Sequence, residues 1–232
     1  MKDLFYAPGI GSDHYTFSTE ESNHMIRVMR MGKGEQVRIT DGKGNLFTAE
    51  LDDVNPAACI ARITGVQHEA GKRKVHLHLA VAPPKNIDRF EWFLEKATEI
   101  GIEEITPIRC RHSERKEIKP ERQTKVLIAA MKQSQKSYLP VLNPMINFNE
   151  LIKIKMPSGK FICSMNASAD FNSGLKNLGE LLVLVGPEGD FSSAEYAEAN
   201  NAGFNPVTLG HSRLRTETAA VMACAAVSLS QL

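Results

Sequence analysis

Two segments of this 232-residue chain concentrate groups that could hold a ligand and act on it. The first is the apolar run Leu181-Leu182-Val183-Leu184-Val185, which leads straight into Gly186-Pro187-Glu188-Gly189-Asp190-Phe191. Glycines let backbone N–H and C=O groups come close to a ligand, and a helix start just beyond supplies donors with no partner of their own. Ser192 and Glu195 have the spacing of a capping box that opens such a helix. The second segment is Val207-Thr208-Leu209-Gly210, followed by His211-Ser212-Arg213-Leu214-Arg215 and Thr216-Glu217-Thr218-Ala219-Ala220. After Gly210 it gathers three hydroxyl-bearing and two guanidinium side chains beside a helix of small residues. Taken singly, the first segment also fits an ordinary strand-to-helix connection, and Thr216 fits a simple helix cap.

The elements around these segments give them a common address. From Val75 onward strands and helices alternate, which predicts a mainly parallel sheet covered by helices. Strands are expected at Val75–Val81, Ile105–Ile108, Phe161–Ser164, Leu181–Val185 and Val207–Leu209. Helices are expected after Pro83-Pro84, with Ile87, Phe90, Leu94 and Ala97 at helical spacing and Gly101 as terminator, then from Pro120, near Ser193–Ala202 and near Thr218–Leu229. In such a sheet ligands bind outside the C-terminal ends of the strands, where both segments fall. The small residues Ala219, Ala220, Ala223, Ala225 and Ala226 allow the last helix to pack closely on another element or a second subunit. The first seventy or so residues read differently, as short strands and turns. Gln36–Thr40 and Leu46–Leu51 form a hairpin around a Gly-rich turn, and Ala58–Val66 is a further strand. A helix over Glu20–Arg30, capped by Ser18 or Thr19, has Met25, Val28 and Met29 as its apolar stripe and His24, Arg27 and Arg30 on its other face. The polar run Glu69–Lys74 reads as the linker.

Composition narrows the function classes. The net charge is +1, but Arg109–Lys136 holds nine Lys/Arg against three Glu, and Glu180 to the end holds six acids against two bases. A near-neutral chain can thus present a basic face to a polyanion, although a solvated helix surface explains the same run. Cys59, Cys110, Cys163 and Cys224 lack paired spacing, which argues against zinc and disulfides and for reduced thiols in the cytoplasm. No stretch has the length or apolarity of a membrane span. G-x-G-x-x-G and G-x-x-x-x-G-K-[ST] are both absent, so a Rossmann dinucleotide site and a P-loop lose support. His76 and His78 share a strand face, and we read them as solvent-facing rather than as metal ligands.

Five motifs in order carry a resemblance. They are His24-Met25-Ile26-Arg27-Val28-Met29-Arg30, the run from Glu91 to Gly101, Gln133-Ser134, Gly186-Pro187-Glu188-Gly189, and Leu209-Gly210 through Leu214-Arg215-Thr216-Glu217-Thr218-Ala219. Together they resemble the SPOUT methyltransferases, and within them the bacterial small-subunit (16S) ribosomal RNA uridine-N3 methyltransferase family. The resemblance spans nearly the whole chain. It implies a PUA-like β-barrel RNA-binding domain over 1–72 and a SPOUT α/β domain over 73–232, with a trefoil knot and a mainly parallel sheet. It further implies a homodimer, S-adenosyl-L-methionine as cofactor, and ribosomal RNA, free or in its particle, as partner. The cofactor would lie between the Gly186 loop, the Leu209–Arg215 loop and the start of the last helix. Its binding residues would be Met165, Leu184, Gly186, Glu188, Gly189, Leu209, Gly210, Leu214, Arg215, Thr216, Thr218 and Ala219. Three positions depart from the family pattern: Asp190 stands where a second glycine is usual, Arg213 where Ile or Val is usual, and Leu4-Phe5 where many members carry an arginine.

Uridine N3 is a poor nucleophile until its proton leaves. The enzyme must therefore align base and methyl donor and stabilise the developing uridine anion. Arg215 is the candidate partner of a uracil carbonyl, and Glu217 or Glu188 the candidate proton acceptor. Arg27, Arg30, Lys85, Lys96, Arg109, Arg111 and Arg115 are the candidate phosphate contacts. A ribose 2′-O-methyltransferase, a non-catalytic RNA-binding ribosome-assembly factor and a phosphate-binding Gly186 loop are the competing expectations.

Overall fold

A computed structural model describes residues 3–11, 13–154, 159–175 and 179–231. The chain divides into two compact units, one of Met1–Lys72 with Met131–Leu139 and one of Arg73–Ala130 with Pro140–Leu232.

The first unit is a curled five-stranded half-barrel. Its strands are β1 (Leu4–Tyr6), β2 (His14–Thr16), β3 (Gln36–Thr40), β4 (Leu46–Asp53) and β5 (Ile60–Gln67), in the order β1-β3-β4-β5-β2. The expected hairpin is β3 and β4, joined antiparallel with Val37 opposite Ala49. Alternation places Val37, Ile39, Ala49, Leu51 and Ala61 inside with Phe5, Phe17 and Met25. The segment Met131–Leu139 adds backbone bonds to the hairpin turn: Gly44 N–H donates to Ser137 O (3.0 Å), and Leu139 N–H donates to Gly42 O (2.9 Å). The Thr40 hydroxyl also donates to Ser137 O, at 2.9 Å.

The expected helix over Glu20–Arg30 is shorter and changes its winding. Ser18 caps α1 (Thr19–Asn23) by accepting from Glu21 N–H, as anticipated. The chain then makes a π-turn over His24–Val28, closed by Met29 N–H on His24 O at 3.0 Å. The wider turn rotates Val28 out of the apolar stripe. Met25 is buried, whereas Val28 is 68% exposed. Arg30 follows with φ +59°, in the left-handed region.

The second unit holds a seven-stranded sheet. It comprises β6 (His76–Val81), β7 (Glu104–Arg109), β8 (Val141–Leu142), β9 (Ile146–Asn147), β10 (Gly159–Cys163), β11 (Glu180–Val185) and β12 (Asn205–Val207). The order is β12-β10-β11-β6-β7-β8, with β9 also on β7, and every pairing is parallel. Helices α2 (Ile87–Ile100), α3 (Pro120–Gln133), α4 (Phe148–Leu151), α5 (Ser193–Asn201) and α6 (Thr216–Leu229) complete the fold. α3 runs from this unit into the first one.

β11 is buried along Leu181–Val185, as a central strand should be. Leu182 and Leu184 join a core with Phe148, Leu151, Phe191, Ala199 and Phe204 on the α4 and α5 side. The period of two sends Leu181, Val183 and Val185 to the opposite face, where α6 contacts β6 and β11. α2 follows the anticipated spacing, with Phe90, Phe93, Leu94 and Ala97 buried, and Gly101 ends it at φ +112°. The small residues of α6 allow close packing on α2, where the Cys224 thiol lies 3.8 Å from Ala97 O.

Candidate active site

The loops that leave β10, β11 and β12 enclose a cavity of about 660 Å³, within the range of small-molecule sites. Met165 lines it after β10. Gly186, Glu188 and Asp190 line it after β11, and Leu209, Gly210, Arg213, Leu214 and Arg215 after β12. Thr216 and Ala219 come from the start of α6, and Arg89 from the first turn of α2. Nine of the expected residues therefore face one space. Leu184, Gly189, Glu217 and Thr218 stand outside the lining. Leu184 is spent in the core beneath the sheet, and Gly189 backs onto His112, whose Cβ lies 3.1 Å from where a side chain would begin.

Local geometry explains why these residue types occur here. Gly210 has φ +119°, which an L side chain adopts only with strain. Thr216 is the first residue of α6 and not its cap, because Arg215 holds the cap position. The Thr216 hydroxyl instead donates to Gly186 O at 2.9 Å and fastens the two glycine loops together. Arg215 makes no side-chain capping bond, so the first amides of α6 keep the donor capacity and partial positive charge of a helix start. Ser192 and Glu195 form the anticipated capping box, and Glu195 Oε1 also accepts Arg111 N–H at 2.8 Å.

Asp190 answers the first departure from the family pattern. Its φ is +63°, which accounts for a glycine there, and Asp is among the side chains that tolerate this region. Its Oδ1 accepts Phe191 N–H at 2.8 Å and the Tyr196 hydroxyl at 2.8 Å. Asp190→Ala keeps the strain and loses both bonds, so a cost of about 2 kcal/mol is expected in urea unfolding. Asp190→Gly removes the strain and should cost less.

Arg89 was not anticipated. Its signal was positional: α2 starts just beyond the C-terminal end of β6, so a first-turn side chain can reach the ligand space. Glu217, also in a first turn, is buried, with its Oε1 3.8 Å from Arg89 Nε. Its Oε2 is buried and finds no hydrogen-bond partner among the described residues. A buried carboxylate oxygen without a donor is costly, so a water or another donor is expected to meet it. Glu188 is exposed, and its Oε1 accepts Lys85 N–H at 3.1 Å. Burial, helped by Asp190, pushes the Cys163 thiol up to about 12, so this cavity residue stays protonated and is no nucleophile at neutral pH.

The expected phosphate contacts are placed unevenly. Arg27 and Arg30 are exposed on and after the π-turn of the first unit. In the second unit Arg111 is exposed, Arg109 bonds Asn147, and Lys85 pairs with Glu114 at 2.7 Å. Lys96 is held between Glu95 and Glu99 at 2.7 and 2.9 Å. Arg115 is a clasp that donates to Pro84 O (3.0 Å) and to Lys85 O. Local acids and carbonyls thus already occupy Lys96 and Arg115.

The strand histidines also differ from expectation. His76 is exposed, but the side chain of His78 is only 15% exposed, with Nε2 2.7 Å from Thr106 Oγ1 and Nδ1 3.7 Å from Glu104. Burial, aided by His76 and opposed by Glu104, holds His78 below the ordinary imidazole value of 6.5. The depressed value means that the neutral ring stabilises the fold above about pH 6.5, and that this contribution fades as the pH falls. Urea unfolding at pH 7 and pH 5 should show the loss, and His78→Gln should reduce it. Among the described residues no three His, Cys, Asp or Glu side chains form a group able to hold a metal ion.

Comparison with known proteins identifies the family. A family model described as the RNA methyltransferase domain matches residues 71–228, and one described as the RNA methyltransferase PUA domain matches residues 17–64. The Ribosomal RNA small subunit methyltransferase E of Synechocystis is 30% identical over 224 residues, covering 92% of this chain and 72% of that protein. The crystal structure of a probable rRNA-methyltransferase from Porphyromonas gingivalis is 38% identical with a TM-score of 0.91, covering 99% of this chain and 98% of that one. The Neisseria gonorrhoeae Ribosomal RNA small subunit methyltransferase E, solved bound to S-adenosyl methionine, is 29% identical with a TM-score of 0.87 and the same coverage. With a catalytic-domain match over most of its length and relatives aligned nearly end to end, this chain belongs to the RNA methyltransferase family.

Proposed function

We propose that this chain transfers a methyl group from S-adenosyl-L-methionine to N3 of a uridine in 16S ribosomal RNA. The observation that carries the reading is the cavity at the ends of β10, β11 and β12, where glycine loops, an uncapped helix start and three arginines converge. Gly186, Gly210 and the amides around them offer backbone contacts to the cofactor, and Met165, Leu209, Leu214 and Ala219 offer apolar ones. When bound, the cofactor supplies an electrophilic methyl group that needs no further activation.

The protein's own task is the uridine. The Arg215 guanidinium, a fixed positive fork, hydrogen-bonds a uracil carbonyl and favours the anionic base. Glu217 is the proposed proton acceptor: it stands outside the lining, but its Oε1 lies 3.8 Å from the lining residue Arg89, and its buried Oε2 has no partner among the described residues. Glu188, exposed and already bonded to Lys85 N–H, is the alternative acceptor, acting through water.

Residues 1–72 are proposed as the RNA-binding part and 73–232 as the catalytic part, with the trefoil knot that the resemblance implies. α6 leaves Met222 44% and Leu229 67% exposed, which supports a homodimer built on this helix; sedimentation at micromolar concentration tests it. No described helix is long and apolar enough to cross a membrane; the proposed action on ribosomal RNA supports the cytoplasm as the chain's location.

Phosphate contacts make RNA affinity fall steeply with salt. Arg27→Ala should lower the slope of log K against log salt by about one. An unchanged slope removes that contact. The decisive experiment is mass spectrometry of ribosomal RNA from a strain that lacks the protein. One missing N3-methyluridine, restored by the gene, is expected. Loss of a ribose methyl group instead would assign a 2′-O-methyltransferase, and absent cofactor binding in calorimetry would leave an assembly factor.

A further inference from the structure

A second cleft, in the first unit, lies outside everything assigned above. It encloses about 510 Å³, and the rings of Phe5, Tyr6 and Tyr15 line it together with Glu20, His24 and Lys132. The aromatic wall is set by the core behind it. Phe17 meets Tyr15 edge-on at 5.0 Å and Phe5 at 5.3 Å. Lys132 is fixed by Glu21 at 2.8 Å, with its ammonium 5.6 Å from the centre of the Phe5 ring. Tyr6 and Tyr15 are half-buried, and no described residue hydrogen-bonds either hydroxyl. His24 opens the π-turn, a winding often found at functional positions, and it is followed by the exposed Arg27 and Arg30.

We propose that this cleft binds an unstacked nucleobase of the RNA substrate, away from the base that is methylated, and prefers bases with an exocyclic amine. Tyrosine rings offer stacking surfaces to any base. With Glu21 paired to Lys132, Glu20 leaves the cleft net negative and unfavourable to a phosphate, so the base enters and the backbone runs outside, where Arg27 and Arg30 meet it. A carboxylate accepts from the amino group of cytosine, adenine or guanine, while uracil has none to offer. The inference rests on the RNA-methylating reading and extends it to how the substrate is gripped.

The direct test is an NMR titration of the unaltered, isotope-labelled chain with CMP and with UMP. Saturating S-adenosylhomocysteine is present to fill any adenine site in the second unit. Shifts at the amides of Tyr6, Tyr15 and His24, larger with CMP than with UMP, are expected. Silence at these residues, or an equal response to UMP, overturns the proposal. In parallel, Tyr15→Leu should raise KM for the ribosomal RNA substrate about tenfold with kcat unchanged, since stacking contributes to binding alone. An unchanged KM counts against the cleft. An unaltered chain that methylates no ribosomal RNA overturns the functional reading instead, and the nucleotide titration still decides the cleft by itself.

Discussion

Replacing Arg215 with alanine is expected to lower kcat by about 10²–10³-fold and to leave the affinity for S-adenosyl-L-methionine close to that of the unaltered chain. That factor is the usual cost of losing one preorganised donor aimed at developing negative charge. Arg215 lines the cavity from the cap position of α6, so its fork stands beside the amides of a helix start, and both favour an anion. The loss belongs to kcat because the uridine gains its charge only as the reaction proceeds. Arg215→Lys restores charge without the planar fork and should recover part of the rate. Single-turnover methylation with calorimetry of cofactor binding checks both. Normal turnover in the alanine variant would remove Arg215 from the mechanism, and a loss confined to cofactor affinity would make it a cofactor ligand.

The largest loss of stability is expected in the first unit, at Gly44. Its φ is +94°, and a Cβ there would lie 2.2 Å from Cζ and 2.3 Å from the hydroxyl oxygen of Tyr138, well inside van der Waals contact. Gly44→Ala therefore carries two separate penalties: about 1–2 kcal/mol for the left-handed backbone, and about 1–3 kcal/mol for overpacking. For a chain of this length the sum corresponds to a fall of roughly 5–15 °C in Tm. The penalties can be divided. In a Tyr138→Ala background the clash disappears, and only the backbone part, about 1–2 kcal/mol, should remain. Thermal unfolding of the four chains of this cycle measures it. Equal costs in the two backgrounds would show that the tyrosine gives way freely.

What could be read from the sequence followed its physics closely. A strand apolar from Leu181 to Val185 reads as central, and the glycines after it fit a close backbone approach as well as an ordinary connection, so the loops that line the cavity were legible as candidates. The contribution of α2 was not, because Arg89 reaches the cavity through the placement of that helix, which no local pattern states. Leu184 shows the reverse difficulty: inside a strand the side chain alternates, and only the register decides that Val185 rather than Leu184 meets the cavity. The π-turn escaped because periodicity assumes 3.6 residues per turn, and one wider turn moved Val28 from the expected stripe to solvent. The positive φ of Asp190 likewise left no trace beyond an acid where relatives carry glycine.

The return of Met131–Leu139 to the first unit sets the order in which the chain can finish folding during synthesis. Residues 1–72 leave the ribosome before the residues whose Ser137 carbonyl accepts from both Gly44 and Thr40. At about 5–20 residues per second, the intervening stretch keeps that hairpin turn waiting for several seconds. The nascent half-barrel must stay soluble with its turn unpaired through that interval, and a fragment ended at Lys72 would remain in that unfinished state permanently.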